Sequence, residues 1–279
     1  MGAGAHMKML LVGFDSAWTA RKRGALAGAV RHTDGRLESL GPPEAASFDQ
    51  ALLRIDKWRT DLSPDRTLIL IDQPTIVKNQ TGQRPVERLV SSPVGARRGG
   101  MQPAFTGCAD MFGDEAPIWP FLEAFGGAAD PFEPGDVSVF ETYPVLALIA
   151  MGWLLPDERA KGRLPKYNPA RRATFAQTDW SFVCDKLASA FAERGLADLA
   201  LQTGELGALR PSKSDQDRLD ALLCLLVAVC LAGNEKALVI GDLASGQIVV
   251  PYGATLEQEL HRRCEECGMF PEQWVRQRP

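Results

Sequence analysis

Short apolar runs alternate with amphipathic stretches along most of the chain, a pattern that predicts an α/β fold. The runs at 8–14, 67–71 and 137–141 predict three strands because nearly every position in them is apolar. After the first run, alternating residues and the turn Thr33-Asp34-Gly35 predict a hairpin of strands 2 and 3 that ends near residue 40. A closing hairpin is predicted at 239–250.

Helices are predicted where apolar residues recur at helical spacing, at 48–60, 144–151, 180–194 and 214–232. Ser214 is the expected N-cap of the last helix, and Gly233 lies just past its end. Ser214-x-x-Asp217 also matches a capping box. Asp217 could therefore serve to cap the helix and have no functional role.

Two stretches interrupt this alternation. Residues 73–135 are rich in Gly, Pro and Arg, with short helices predicted only near 85–90 and 119–125. Residues 156–212 begin with a polar linker at 159–172 and continue into a helical lobe. Long irregular segments are usually functional or mobile. We therefore expect a single domain over residues 7–279 with two insertions, and residues 1–6 are interpreted as the remnant of an expression tag.

Composition and charge narrow the choice of partners. The 279 residues are 45% hydrophobic and 24% charged, which suits a globular protein with a large core. A net charge of -4 disfavours broad binding to nucleic acid or anionic membranes, so any nucleic-acid contact is expected to be local. No run approaches the ~20 apolar residues of a spanning helix. Six scattered cysteines indicate a reducing, cytoplasmic location.

An acid ends each of the three apolar strands, namely Asp15, Asp72 and Glu141. Ligands bind where strands of an open α/β sheet end, so these acids are expected to converge. Asp217 and Asp220 are three residues apart on a helix and share a face that could complete the cluster. Taken singly, each acid could instead have a structural role, such as capping a loop. Asp220 has apolar neighbours in its helix and therefore needs a partner.

Clustered carboxylates point to a metal. They repel one another unless cations neutralise them, and their hard oxygen atoms suit Mg²⁺ or Mn²⁺. Asp15, Asp72, Asp217 and Asp220 are the predicted metal ligands, and Glu141 is a peripheral one. In two-metal hydrolysis such acids hold the ions that activate water and stabilise the leaving oxygen.

Arginines in the loop after the second strand are the candidates for substrate binding, since guanidinium groups clamp phosphate oxygens. These candidates are Arg84, Arg88, Arg97 and Arg98. The alternative is a solvated surface on which Glu87 pairs with Arg84. ATP or dinucleotide binding has no support, because neither a P-loop nor a Gly-x-Gly-x-x-Gly motif after a strand is present.

Four short motifs follow one another in a fixed order across most of the chain. They are Gly13-Phe14-Asp15-Ser16-Ala17-Trp18, Ile71-Asp72-Gln73-Pro74, Glu141-Thr142-Tyr143-Pro144 and Asp217-x-x-Asp220-Ala221. In this order they resemble the DUF429 family of predicted ribonuclease H-fold nucleases. The Asp-x-x-Asp-Ala helix is also similar to that of Holliday-junction resolvases of the same superfamily.

The resemblance implies a ribonuclease H-like α/β fold, with helices on both faces of a mixed five-stranded sheet. Asp15 would lie on the central first strand, Asp72 on the fourth, and Glu141 at the end of the fifth. The helix with Asp217 and Asp220 would cross beside them. Arg84 and Arg88 also resemble an Arg-bearing helix of the family.

The leading hypothesis is a divalent-metal-dependent nuclease that hydrolyses phosphodiester bonds in DNA or RNA with Mg²⁺ or Mn²⁺. One alternative is a phosphohydrolase of a small nucleotide or phosphoester, which needs the same metals and no extended basic groove. Another is a non-catalytic binding module on the same fold. The sequence leaves the choice of nucleic acid and the oligomeric state open.

Overall fold

The computed structural model describes residues 7–16, 18–158 and 161–279, which form strands and helices in alternation. The strands are β1 (Met9–Asp15), β2 (Gly24–Arg31), β3 (Leu37–Ser39), β4 (Glu44–Ala46), β5 (Arg66–Ile71), β6 (Val137–Glu141), β7 (Ala237–Asp242), β8 (Gly246–Pro251) and β9 (Val275–Arg278). The helices are α1 (Phe48–Leu62), α2 (Pro85–Ala96), α3 (Ala109–Phe112), α4 (Ile118–Ala124), α5 (Pro144–Ala150), α6 (Gln177–Glu193), α7 (Ala197–Ala208), α8 (Lys213–Ala232), α9 (Ala254–Glu266) and α10 (Pro271–Trp274). The predicted tag at 1–6, Ala17 and the first two linker residues, 159–160, lie outside the described part.

The larger sheet is mixed and centres on β1. This strand pairs antiparallel with β2 and parallel with β5, and β5 pairs parallel with β6. The strand order is β3-β2-β1-β5-β6, with β4 also paired to β2. The chain is therefore a mixed α/β protein, as the alternating pattern predicts.

This sheet has six strands, whereas the resemblance implied five. β3 pairs with residues 29–31 of β2, and β4 pairs with residues 24–26 of the same strand. Both run antiparallel to β2 along the same edge, and Gly41-Pro42-Pro43 separates them. Proline has no N–H to donate to a β-ladder, so the edge strand is broken into two short pieces.

The two faces of the sheet bury different helices. Leu10, Val12 and Phe14 alternate along β1 toward a core that includes residues of α1 and α4. Leu11 and the alternate residues of β5 face the larger core, to which α8 contributes most. A Cβ atom on Gly13 would lie 2.2 Å from the backbone of Ala221, so α8 crosses β1 in direct contact.

A second, three-stranded sheet closes the described chain in the order β8-β7-β9. The hairpin predicted at 239–250 is confirmed as β7 and β8. β9 adds an antiparallel strand on the other side of β7, which the sequence pattern did not indicate. None of the described helices has the length and apolarity needed to cross a membrane.

The predicted N-cap of α8 was wrong. Ser212, not Ser214, accepts from the backbone N–H of Asp215, and Asp215 completes the capping box with Ser212. Asp217 therefore lies inside the helix and takes no part in capping. The predicted helix at 180–194 begins earlier, at Gln177, and packs with α7 as a helical pair.

Candidate active site

Asp15 and Asp72 stand side by side at the end of the larger sheet. Phe14 and Ile71 are partners in the parallel ladder of β1 and β5, and the N–H of Asp72 donates to the carbonyl of Phe14 at 2.9 Å. The two aspartates are the next residues in this register, so their side chains leave the sheet on the same face. That face is the one covered by α8.

The first turns of α8 bring two more carboxylates to this sheet end. Because the helix touches β1 at Gly13, Asp217 and Asp220 lie above the end of the strand. Asp15, Asp72, Asp217 and Asp220 line one open cavity of about 600 Å³, together with Lys213 and Gln216. We call this cavity the acid cleft. The four predicted ligands thus meet, and Asp15, Asp217 and Asp220 are each no more than 6% exposed.

Burial and mutual repulsion disfavour the charged forms of the strand-end acids. Burial, followed by the charges of Asp220 and Asp72, raises the pKa of Asp15 well above its usual range. Burial and the charge of Asp220 likewise raise the pKa of Asp72. Asp15 and Asp72, at the ends of neighbouring strands, therefore resist ionisation, as expected where several carboxylates share a site.

Asp220 is the most firmly held of these acids. Its Oδ1 accepts from the Tyr167 hydroxyl at 2.8 Å, and its Oδ2 accepts from Gln216 Nε2 at 2.6 Å. Burial raises its pKa to about 6, although Lys213 and these two hydrogen bonds oppose the shift. Tyr167 and Gln216 fix the direction of the carboxylate, and sequence reasoning did not identify either residue.

Lys213 is the basic residue of the acid cleft that pairs with one of its aspartates. It forms an ion pair with Asp217, four residues along the same helix. Its charge also opposes the raised pKa values of Asp15, Asp72 and Asp220. The lysine therefore offsets part of the repulsion among four aspartates.

Glu141 does not line the acid cleft, but it shares a neighbouring cavity with Asp72, and its charge adds to the effects of burial and Asp220 on the pKa of that aspartate. It is the ladder partner of Ile71, so the residue in register with Asp72 is Thr142. Successive side chains of a strand point to opposite faces, which directs Glu141 away from the α8 side. Its carboxylate accepts from Arg84 at 2.6 and 2.8 Å and from the N–H of Thr75.

Two of the four predicted phosphate-binding arginines are buried and engaged in ion pairs. Arg84 is 1% exposed, and its guanidinium lies between Glu87 and Glu141. Arg97 is 2% exposed and pairs with Glu259 of α9. Truncating one partner of a buried pair leaves an uncompensated charge, so replacing either arginine should destabilise the fold. The substrate contact predicted for both arginines stays a prediction.

Arg88 and Arg98 are exposed, but they differ in location. Arg88 lies on α2, and its backbone carbonyl accepts from Arg263 of α9. Arg98 pairs with Asp157 and lines a second cavity, which also contains Asp72 and Asp220. Of the two exposed arginines, Arg98 is the one that lines a cavity with Asp72 and Asp220.

Four further basic residues reach these cavities, and the sequence pattern did not indicate them. Lys166 and Arg171 line the cavity that contains Arg98, and Lys22 and Arg23 line the acid cleft. They come from loops without periodicity, so neither helical spacing nor alternation marked them. The polar composition of residues 159–172 was the only available signal.

The described residues contain no group of three or more His, Cys, Asp or Glu side chains already arranged to hold a metal ion. The acid cleft is thus a set of neighbouring oxygen donors without preformed coordination geometry.

The fold and the acid cleft define a mixed α/β protein with a carboxylate-lined site at the end of its larger sheet. The chain belongs to the DUF429 family, whose model, described as a protein of unknown function, matches residues 13–243. All four motifs that carry the resemblance fall inside this match. Comparisons with curated proteins and with solved structures found no match.

Proposed function

We propose that this protein is a divalent-metal-dependent nuclease, which hydrolyses phosphodiester bonds at the acid cleft. One observation carries the proposal: the carboxylates of Asp15, Asp72 and Asp220 share a cavity, and the charge of Asp220 contributes to the raised pKa of the other two. Such a cluster costs stability without a cation. A site with this cost needs a functional reason.

The strand arrangement supports a ribonuclease H-like fold. β1 is central, antiparallel to β2 and parallel to β5, and β6 follows on the far side of β5. Asp15 ends the central strand, and Asp72 follows its parallel neighbour. If β3 and β4 are one interrupted edge strand, five strand positions result, which is the number that the resemblance implies.

The donors fit a hard divalent cation by their chemistry, since Mg²⁺ and Mn²⁺ favour carboxylate oxygen atoms. Asp15, Asp72 and Asp220 would hold the ion, and Asp217 would complete the set when Lys213 releases it. When bound, the metal supplies an activated water and stabilises the leaving oxygen. Tyr167 and Gln216 keep Asp220 oriented toward the cleft.

The test is hydrolysis of a small diester, bis(p-nitrophenyl) phosphate, and of labelled oligonucleotides with Mg²⁺ or Mn²⁺. We expect turnover in wild type that falls to the background level in Asp15→Asn, because this change removes a metal ligand and keeps the shape of the side chain. Asp185→Asn is the matched control, since Asp185 is an exposed acid on α6.

Two results would contradict the proposal. Turnover that survives in Asp15→Asn would indicate another site or a contaminating nuclease. The absence of metal-dependent turnover in wild type on any of these substrates would favour a binding module on the same fold.

A further inference from the structure

A second cavity adjoins the acid cleft on the far side of Asp72 and Asp220. It lies between the segment that follows Arg97, the start of α5 and residues 164–174. Asp72, Asn168, Gln216 and Asp220 line both cavities, so the two meet at these residues. Arg98, Lys166 and Arg171 also line the second cavity, which we call the basic groove.

Three basic side chains, Arg98, Lys166 and Arg171, line the basic groove beside the carboxylates of Asp72 and Asp220. Arg98 pairs with Asp157, but Lys166 donates to the backbone carbonyl of Arg98 in place of a carboxylate. Burial and the charges of Arg163 and Arg171 lower the pKa of Lys166. Cations that repel one another in this way favour a bound anion, for the same reason that clustered carboxylates favour a metal.

A second basic group lies on the opposite side of the carboxylates. Lys22 and Arg23 precede β2, are exposed and line the acid cleft. The carboxylates of Asp15, Asp72 and Asp220 therefore lie between two sets of basic side chains. A small phosphoester needs a single anion site beside the metal ligands, whereas two flanking sets match phosphates on both sides of a cleaved bond.

Gln216 gives an independent indication of the ligand at the junction of the two cavities. It is 8% exposed, and its Nε2 donates to Asp220, which directs its Oε1 elsewhere. That oxygen is buried and has no hydrogen-bond partner among the described residues. A phosphate diester has no hydrogen to donate. An unsatisfied acceptor therefore favours a ligand that also carries N–H or O–H groups, as nucleobases and sugars do.

We infer that the substrate is a single strand of nucleic acid, which runs from Lys22 and Arg23 across the acid cleft into the basic groove. This inference rests on the proposed nuclease function and specifies its substrate. The carboxylates lie at the bottom of the cleft with little exposure, so a phosphate must enter the cleft to reach them. A flexible single strand can bend its backbone into the cleft, whereas a stiff duplex would have to be deformed to do so.

The test measures fluorescence anisotropy of labelled thymidylates of one, two, four and eight nucleotides, with Asp15→Asn to prevent cleavage. We expect Kd to fall steeply with length until both basic sets are occupied, and a duplex of equal length to bind more weakly. Arg171→Gln and the pair Lys22→Gln/Arg23→Gln should each weaken binding of the octamer by about tenfold or more. Each basic side chain that no longer neutralises a phosphate should reduce the slope of log K against log salt by about 0.7.

Arg262→Gln is the matched control, because Arg262 is an exposed residue of α9 that lines neither cavity. Lys166→Gln provides a second groove variant, and the melting temperature of each variant reports its folding. The inference is overturned if a mononucleotide binds as tightly as the octamer, or if Arg171→Gln and Lys166→Gln bind like Arg262→Gln.

The two proposals fail in distinguishable ways. Metal-dependent turnover of the small diester without length-dependent strand binding would refute the single-stranded substrate. The proposed hydrolytic activity would stand. Length-dependent binding through both basic sets, with no metal-dependent turnover of any substrate, would support binding of a single strand. It would refute the proposed nuclease activity.

Discussion

Folding places Asp15 where its charge is unfavourable. Because its pKa is raised in the folded state, its protonated form adds stability at low pH, and that stability is lost as pH rises through the folded pKa. Asp220 has the same sign: its pKa rises from 3.8 to about 6, so its contribution declines across that interval. The metal-free protein should therefore lose stability from these groups as pH increases.

Replacing Asp15 by Asn should stabilise the metal-free protein at neutral and alkaline pH, because it removes a buried charge that Asp220 and Asp72 repel. Each 1 kcal/mol gained would raise the melting temperature by about 2–4 °C in a protein of this size. Thermal melts in EDTA from pH 4 to pH 8 measure this, and the advantage over wild type should grow with pH.

Asp185→Asn serves as the control for the melts, with no pH-dependent gain. An Asp15→Asn protein that is less stable than wild type at every pH would instead make Asp15 a structural residue, and the functional argument from repulsion would lose its basis.

Which carboxylates meet could be predicted only in part from the sequence. The strand-end rule correctly selected Asp15 and Asp72, but it also selected Glu141. Glu141 is paired with Ile71, one residue before Asp72. A shift of one residue places a side chain on the opposite face of the sheet, so Glu141 points away from the face that carries Asp72. Register depends on pairing across the sheet, which local patterns do not specify. For the same reason, the buried Arg84–Glu141 pair was not foreseen.

At the scale of elements, the contact between β1 and α8 positions the acid cleft. Gly13 lies two residues before Asp15, and Ala221 directly follows Asp220. The absence of a Cβ at Gly13 allows the helix backbone to approach the strand. The distance between the two pairs of carboxylates is therefore set by a residue that carries no chemistry itself.

Gly13→Ala should destabilise the protein by about 3 kcal/mol or more, because the new methyl group would overlap the backbone of Ala221 and Leu225 in a packed core. Gly204→Ala is the matched control. Gly204 lies on the exposed side of α7 with no heavy atom within 4 Å of an added Cβ, so the change should stabilise by about 0.5–1 kcal/mol. Urea denaturation measures both changes, and equal stability of the two variants would contradict the close crossing.

The order and type of most elements could be predicted because periodicity marks them locally, as in β1, β5, β6 and α8. Helix ends were less predictable. Both Ser212 and Ser214 have a cap-forming side chain with an acid three residues later, and only the backbone path before α8 favours Ser212. β9 forms against β7 through long-range pairing, which its own short sequence did not indicate.

At the scale of the whole molecule, the net charge does not show how basic and acidic residues are distributed around the acid cleft. The overall value of -4 argues against broad contact with nucleic acid, yet two basic sets flank the carboxylates in the structure. The proposed strand would therefore contact the protein along these two basic sets and not over a broad surface. The sequence-based expectation of local contact with nucleic acid stays a prediction. Of the four arginines proposed for it, Arg98 lines the basic groove, whereas Arg84 and Arg97 are buried in ion pairs.

Millimolar Mg²⁺ or Mn²⁺ should raise the melting temperature, because a ligand that binds only the folded state stabilises it by about 2.7 kcal/mol at 100 times its Kd. The increase should be larger at pH 8 than at pH 5, since metal must displace protons from carboxylates whose pKa values are raised. Asp15→Asn should lose most of the increase, whereas Asp185→Asn should keep it. Differential scanning calorimetry with matched NaCl separates specific binding from screening. A shift that is absent in wild type, or that persists unchanged in Asp15→Asn, would show that the acid cleft does not hold the metal.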